Sequence, residues 1–222
     1  MVGCPLDDAT RVSLIMLDFL NDGAITPELF KQSRIIRKGN HRSLERLAFL
    51  IVVSPGGRYA KEAWAELLEL APTRLFHVWS SLEPLSFDID LIDIAPSDPA
   101  ALVFAAEHLV KEDEELRDRL LQKFRKLKRS DSHKLALGEW EELHARAAVL
   151  SGNLESAADW YQAAIEQDGA ILLRRERYAA ILADLGRIEQ SRDEYKRCIR
   201  LDPTNRVRYE KRIEGLVNRM GS

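Results

Sequence analysis

The chain has 222 residues, 45% of them apolar and 31% charged, with a formal net charge of −3. That length is enough for one large domain or two small ones with a sizeable core, and the composition excludes an intrinsically disordered chain. The near-balanced charge gives no bulk attraction for a polyanion, and two distant cysteines exclude a disulfide framework or a cysteine-based zinc site.

In chain order, Val12, Ile15, Met16, Phe19 and Leu20 sit at helical spacing behind Asp7, Asp8 and Thr10, with an end near Gly23. Thr26 and Pro27 start a second helix that runs to about Arg37, Thr as cap and Pro in the first turn. Ser43–Val53 reads as a strongly apolar helix broken by Ser54, Pro55, Gly56 and Gly57. Its apolar run, Leu47 to Val53, is far short of the ~20 residues needed to span a membrane. Asp7 and Asp8 interrupt any secretory leader after Met1. Val2, Gly3 and Cys4 have the form of the end of a bacterial lipoprotein signal, without the apolar stretch that precedes one. A cytoplasmic location is therefore expected, the alternative being a soluble fragment of a bacterial envelope or membrane-attached protein.

Tyr59–Leu70 follows as a helix, with Ala60, Trp64 and Leu67 inward, and Thr73–Leu82 as another, with Leu75, Phe76, Val78, Trp79 and Leu82 inward. Over Ser86–Ala95, Phe87, Ile89 and Leu91 alternate with Asp88 and Asp90 as in a strand. Against a strand, Ile94-Ala95-Pro96 has the form of two helix endings, Leu70-Ala71-Pro72 and Leu201-Asp202-Pro203, and no pairing strand is visible. A short helix or irregular link is expected there. Pro99–Val110 and Glu114–Arg129 complete a further antiparallel pair.

From Gly138 to Pro203 the sequence repeats itself at an interval of 34 residues. Glu142 pairs with Glu176, Ala145 with Ala179, Gly152 with Gly186, Tyr161 with Tyr195 and Asp168 with Asp202, while Ala157 pairs with Ser191 and Ala164 with Cys198. A fixed period of this length in helix-compatible sequence marks a helix-turn-helix repeat. The residues resemble the tetratricopeptide-repeat family, with Ala145, Gly152, Ala157, Tyr161 and Ala164 on its small and aromatic positions, and Ala179, Gly186, Ser191, Tyr195, Cys198 and Pro203 on those of the next unit. Two good repeats fall at 138–171 and 172–205, and a degenerate unit near 41–72. Gly169 departs from the motif, which places a proline there, and the motif's opening Trp and Leu are not matched in the first helix of either unit. A final helix beginning at Thr204 and Asn205 carries Tyr209, Ile213, Leu216, Val217 and Met220 as an end cap.

Other motifs are weak. Asp88, Asp90 and Asp93 lack the central glycine and the later glutamate of a calcium loop. Lys123–Arg129 is the one dense basic cluster, but Glu112–Glu115 at the start of the same helix makes the pair a complement to the helix dipole. The five histidines have no metal-ligand spacing, and no phosphate loop, serine elbow or zinc helix occurs. Cys198 falls at a small core position and is expected to be a buried, inert thiol. Trp140 and Trp160 lie off the repeat's core positions, as packing residues or as binding anchors.

These readings predict an all-α, right-handed superhelical solenoid of antiparallel helix pairs, divided into an N-terminal region at 1–96 and a C-terminal repeat region at 97–222. No catalytic residue, cofactor or metal is expected. The resemblance implies a non-enzymatic scaffold or adaptor that holds a peptide or partner helix on the concave surface of each unit's first helix. On this chain that surface comprises Glu139, Glu142, Arg146 and Val149, then Leu173, Glu176, Arg177 and Ala180, then Glu210, Lys211 and Glu214. The Lys–Asn clamp that captures a C-terminal carboxylate is missing, since Glu142 and Glu176 replace the lysines and Arg146 and Ala180 the asparagines. The alternatives are a self-assembling homo-oligomer docked through the cap helix, or an anionic nucleic-acid or lipid surface bound through Lys123–Arg129.

Overall fold

The computed structural model describes residues 60–75, 78–79, 90–108, 113–129 and 135–220. The helices expected before Tyr59, Cys4, Asp88, and most of the degenerate repeat near 41–72 lie outside the described residues. Those that are described form helices and turns, with no strand among them. The chain divides into two compact units, Met1–Ala105 and Ala106–Ser222.

In the first unit, α1 (Ala60–Leu70) buries Trp64, Leu67 and Leu68 and ends before Pro72, which opens a single 3-10 turn. It packs against α2 (Leu91–Ile94), a single helical turn. Asp90 caps that turn by accepting the Ile92 amide at 2.9 Å. Leu91 and Ile94 point into the core, while Asp93 reaches Lys61 at 2.8 Å. The apparent alternation is thus, over its described part, a capped turn with apolar residues three apart. α3 (Pro99–His108) is capped by Asp98, which accepts the Ala101 amide at 2.8 Å, and it crosses the boundary between the units.

In the second unit, α4 (Glu114–Arg125) is capped by Asp113 through the Leu116 amide. Glu114 and Glu115 occupy its first turn and Lys123 and Arg125 its last, the favourable order for a helix dipole. It is shorter than expected: the helix stops at Arg125, and Lys126–Arg129 continue beyond it. Two hairpins follow, α5 (Glu139–Leu150) with α6 (Leu154–Gln167), and α7 (Leu172–Asp184) with α8 (Ile188–Leu201), then α9 (Arg206–Met220). Each helix from α5 to α9 packs on the next.

Small residues make that packing possible. Ala145, Ala157 and Ala164 in the first hairpin and Ala179, Ser191 and Cys198 in the second are all 0% exposed, so the helices approach closely at repeated positions. Tyr161 and Tyr195 fill the remaining space in each hairpin. Ser191 introduces a hydroxyl where the first hairpin has Ala157, and it donates to the Ala179 carbonyl at 2.7 Å, so nothing polar is left unpaired there. Desolvation raises the Cys198 thiol to about 11, leaving it protonated and unreactive at neutral pH.

The two hairpin turns share one geometry. Gly152 and Gly186 both adopt φ 73, and the following amides, Asn153 and Arg187, reach back to Ala148 and Leu182 at 2.9 and 2.8 Å. These are Schellman endings, in which a left-handed residue lets the chain close its last helical carbonyls. Gly169, where the motif has proline, lies against the movable end of the Arg175 side chain. An added Cβ there would come within 2.6 Å of the Arg175 guanidinium, which bonds both the Gly169 carbonyl and Glu194.

Tyr209 and Leu216 bury α9 against α8, but Val217 is 51% exposed and does not join the expected apolar stripe. With α8 as its main packing neighbour, α9 buries a narrower stripe than a helix flanked on both sides.

Candidate functional site

α5, α7 and α9 hold the same place in successive hairpins; α7 and α9 begin 34 residues apart. The charged residues that they carry reach from one of these helices to the next. Arg174 donates from Nε to Glu142 Oε2 at 2.8 Å and from Nη1 to the Leu137 carbonyl at 2.8 Å. Arg177 adds a bond to Glu142 Oε1 at 3.1 Å. One repeat later Arg208 donates to Glu176 Oε2 at 2.8 Å, and the Tyr209 hydroxyl donates to Glu176 Oε1. Desolvation, reinforced by that bond, pushes the Tyr209 phenol far up, so it remains the donor.

Each residue expected on the shared face can now be placed. Glu142 and Glu176 bridge neighbouring helices. Arg146 grips Glu107 with two donors, Nε to Oε1 at 2.8 Å and Nη2 to Oε2. Glu139 accepts the Ala136 amide at 2.8 Å and closes the turn into α5. Glu210 accepts from Arg206 along α9 at 2.6 Å. Lys211, Glu214 and Ala180 are exposed. The exposed large apolar side chains on these helices are Val149 at 40%, Leu173 at 49%, Val207 at 65% and Val217 at 51%. Val207 and Val217 were not among the expected site residues. The 34-residue spacing carries the signal, because Val207 is the counterpart of Leu173 and Val217 that of Ala183.

Between α7 and α9 the face dips into a cleft of about 190 Å³. Leu173, Ala180 and the rings of Tyr195 and Tyr209 contribute to its lining, together with Arg177 and Arg212. The two tyrosine rings stack with centroids 6.4 Å apart. A second cleft of about 320 Å³ lies between α6 and α8, with Ile165, Glu166, Tyr178, Asp193 and Arg197 in its wall.

At the other end of this unit, His144 of α5 sits inside an aromatic cluster. Phe124, Trp140 and Trp160 lie with ring centroids 4.7, 4.9 and 4.6 Å from it, the last stacked. Both tryptophans are half-buried and pack on this imidazole. Burial holds the His144 pKa below 6.5; Glu141 opposes the shift and Arg125 adds to it. The unfolded chain takes up the proton near 6.5 while the folded chain resists it. This contribution is therefore intact above 6.5 and is lost as the pH falls below it. Between about pH 7.5 and about pH 5.5 the melting temperature should drop further in the wild type than in His144→Phe; parallel profiles by circular dichroism would contradict this.

The basic cluster is in part structural. Phe124 is fully buried, Arg125 donates to the Ser151 hydroxyl at 2.6 Å, and Arg129 pairs with Glu141 at 2.9 Å. Among the described residues no three His, Cys, Asp or Glu side chains gather as a metal site. No described helix is long and apolar enough to cross a membrane.

Residues 176–205 match the tetratricopeptide-repeat family model. Solved structures similar to the chain include the following two. One is the MamA RS-1 ArsTM double mutant, 13% identical, covering 91% of this chain and 98% of that one with a TM-score of 0.42. The other is yeast Tom70, 15% identical, covering 96% of this chain but 47% of that one, with a TM-score of 0.44. No curated protein matches the chain.

Proposed function

We propose that this chain, a tetratricopeptide-repeat protein, is a non-enzymatic interaction module that lays a peptide or partner helix across the shared face of α5, α7 and α9. Repeats of this kind generally mediate protein–protein contacts, and the specific reading rests on one observation. The carboxylates of Glu142 and Glu176 are satisfied within the fold, whereas Val149, Leu173, Val207 and Val217 stand exposed on the same helices. Isolated exposed apolar residues need no explanation, but a row of them at matching repeat positions is a surface suited to an apolar partner.

A photo-crosslinking residue placed at Ala180 should trap a protein partner in cells. The double variant Leu173→Asp/Val207→Asp should reduce that capture at least about tenfold, equivalent to ~1.4 kcal/mol. Its melting temperature should remain close to that of the wild type, because both side chains are exposed. Leu201→Asp, at an exposed apolar site at the end of α8, serves as control and should capture normally. Equal capture by all three proteins would refute the assignment.

A further inference from the structure

We infer that the cleft between α7 and α9 selects an acidic partner segment, seating an apolar side chain over Leu173 and Ala180 with carboxylates beside it on Arg177 and Arg212. The inference rests on the interaction face proposed above and specifies the chemistry of what that face receives.

Charge bookkeeping within the cleft supports it. Three arginines line it, Arg177, Arg208 and Arg212, against one carboxylate, Glu176. Glu176 is already matched by Arg208 and by the Tyr209 hydroxyl. Arg177 shares Glu142 with Arg174, so two guanidinium groups face one carboxylate and one positive charge is left over. Arg212 makes no ion pair among the described residues, and Lys211 beside it makes none either. The cleft therefore carries excess positive charge next to exposed apolar surface, although the whole chain is slightly acidic at −3.

The helix itself gives no reason for this placement. Arg206 and Arg208 occupy the first turn of α9, which has no acidic residue, so they oppose the positive end of its dipole. Arg208 and Arg212 stand four residues apart, a like-charge spacing that costs a helix a few tenths of a kcal/mol, about 0.2–0.5. Local choices that work against the element carrying them are expected where a surface serves a ligand. Size also constrains the occupant. A cleft of about 190 Å³ is smaller than the ~300–1,000 Å³ of sites that enclose small molecules, and suits one or two side chains of a longer segment. The absence of the Lys–Asn clamp turns the expectation towards side-chain carboxylates and away from a chain terminus.

The test uses the full chain and three fluorescein-labelled peptides of about twelve residues, each with leucines at helical spacing, flanked by Glu, Gln or Lys. The Glu peptide should bind tightest by fluorescence anisotropy, and added salt should weaken it. Arg212→Gln should weaken the Glu peptide about tenfold and leave the Gln peptide unchanged. Amide shifts in the labelled protein should centre on Leu173, Ala180 and Arg212. Equal affinity for the three peptides, no binding of any, or indifference to Arg212→Gln would each overturn the inference. If Leu173→Asp abolishes all three while Arg212→Gln changes nothing, the interaction face stands and the acidic preference falls. Self-association in light scattering that Arg212→Gln removes would assign the cleft to a second copy and overturn the inference equally.

Discussion

Replacing Arg174 with Ala should cost the second unit about 3–5 kcal/mol, whereas the same change at Arg208, one repeat later, should cost under about 1 kcal/mol. The two arginines are 34 residues apart and bond equivalent glutamates, Glu142 and Glu176, at the same distance of 2.8 Å. Burial separates them: the Arg174 side chain is 4% exposed, that of Arg208 56%. Removing Arg174 leaves the Leu137 carbonyl and half of Glu142 without their donors in a desolvated site, and Arg177 replaces only part of the interaction. Arg208 is screened by water and loses little. Against a typical total stability of ~5–15 kcal/mol, the first variant should melt roughly 10 °C or more below the wild type, the second within a few degrees. Equal losses in thermal melts would show that repeat position, not burial, governs these pairs.

Gly138→Ala should cost about 3 kcal/mol and Gly152→Ala about 1 kcal/mol, although both glycines have φ 73. The shared part is the left-handed backbone, which a side chain disfavours by about 1–2 kcal/mol. The difference is space. A Cβ on Gly138 would lie 2.5 Å from the Ala164 carbonyl oxygen, part of the α6 backbone, and 2.7 Å from Arg174 Nη1. One on Gly152 would meet nothing within 4 Å. Relieving the first clash means moving α6 or displacing the Arg174 network, so Gly138→Ala and Arg174→Ala should be non-additive when combined. Denaturant titration that gave the same midpoint for both variants would refute the steric account.

The architecture was largely legible because the repeat reports it twice. Ala145 and Ala179, Gly152 and Gly186, and Tyr161 and Tyr195 each do the same thing in both hairpins, and local sequence is enough to specify a helix, a left-handed turn and a small contact position. The Glu114–Arg129 helix was read too long because Leu127 continues the apolar spacing, yet the chain leaves the helix after Arg125 and Arg129 turns to Glu141. Val217 likewise continues the stripe of α9 but is left exposed, since periodicity says which residues share a face and not how wide a neighbour covers it.

The candidate site divides along the same line. Its expected location, on the first helix of each hairpin, is what the family resemblance implies, and the 34-residue period only carries a position on one such helix to the same position on the next. Its chemistry follows from neither. Glu142, Glu176 and Arg146 read as partner-facing charges in the sequence, and the assembled helices turn them onto Arg174, Arg208 and Glu107 instead. Arg212 and the row from Val149 to Val217 are left outward. A hydrogen bond requires two atoms within about 3 Å, and residues more than thirty apart in the chain reach that distance only once the helices have packed. Period and pattern therefore settled the helical repeat, and the packing of one hairpin on the next settled which charges are paired within the fold.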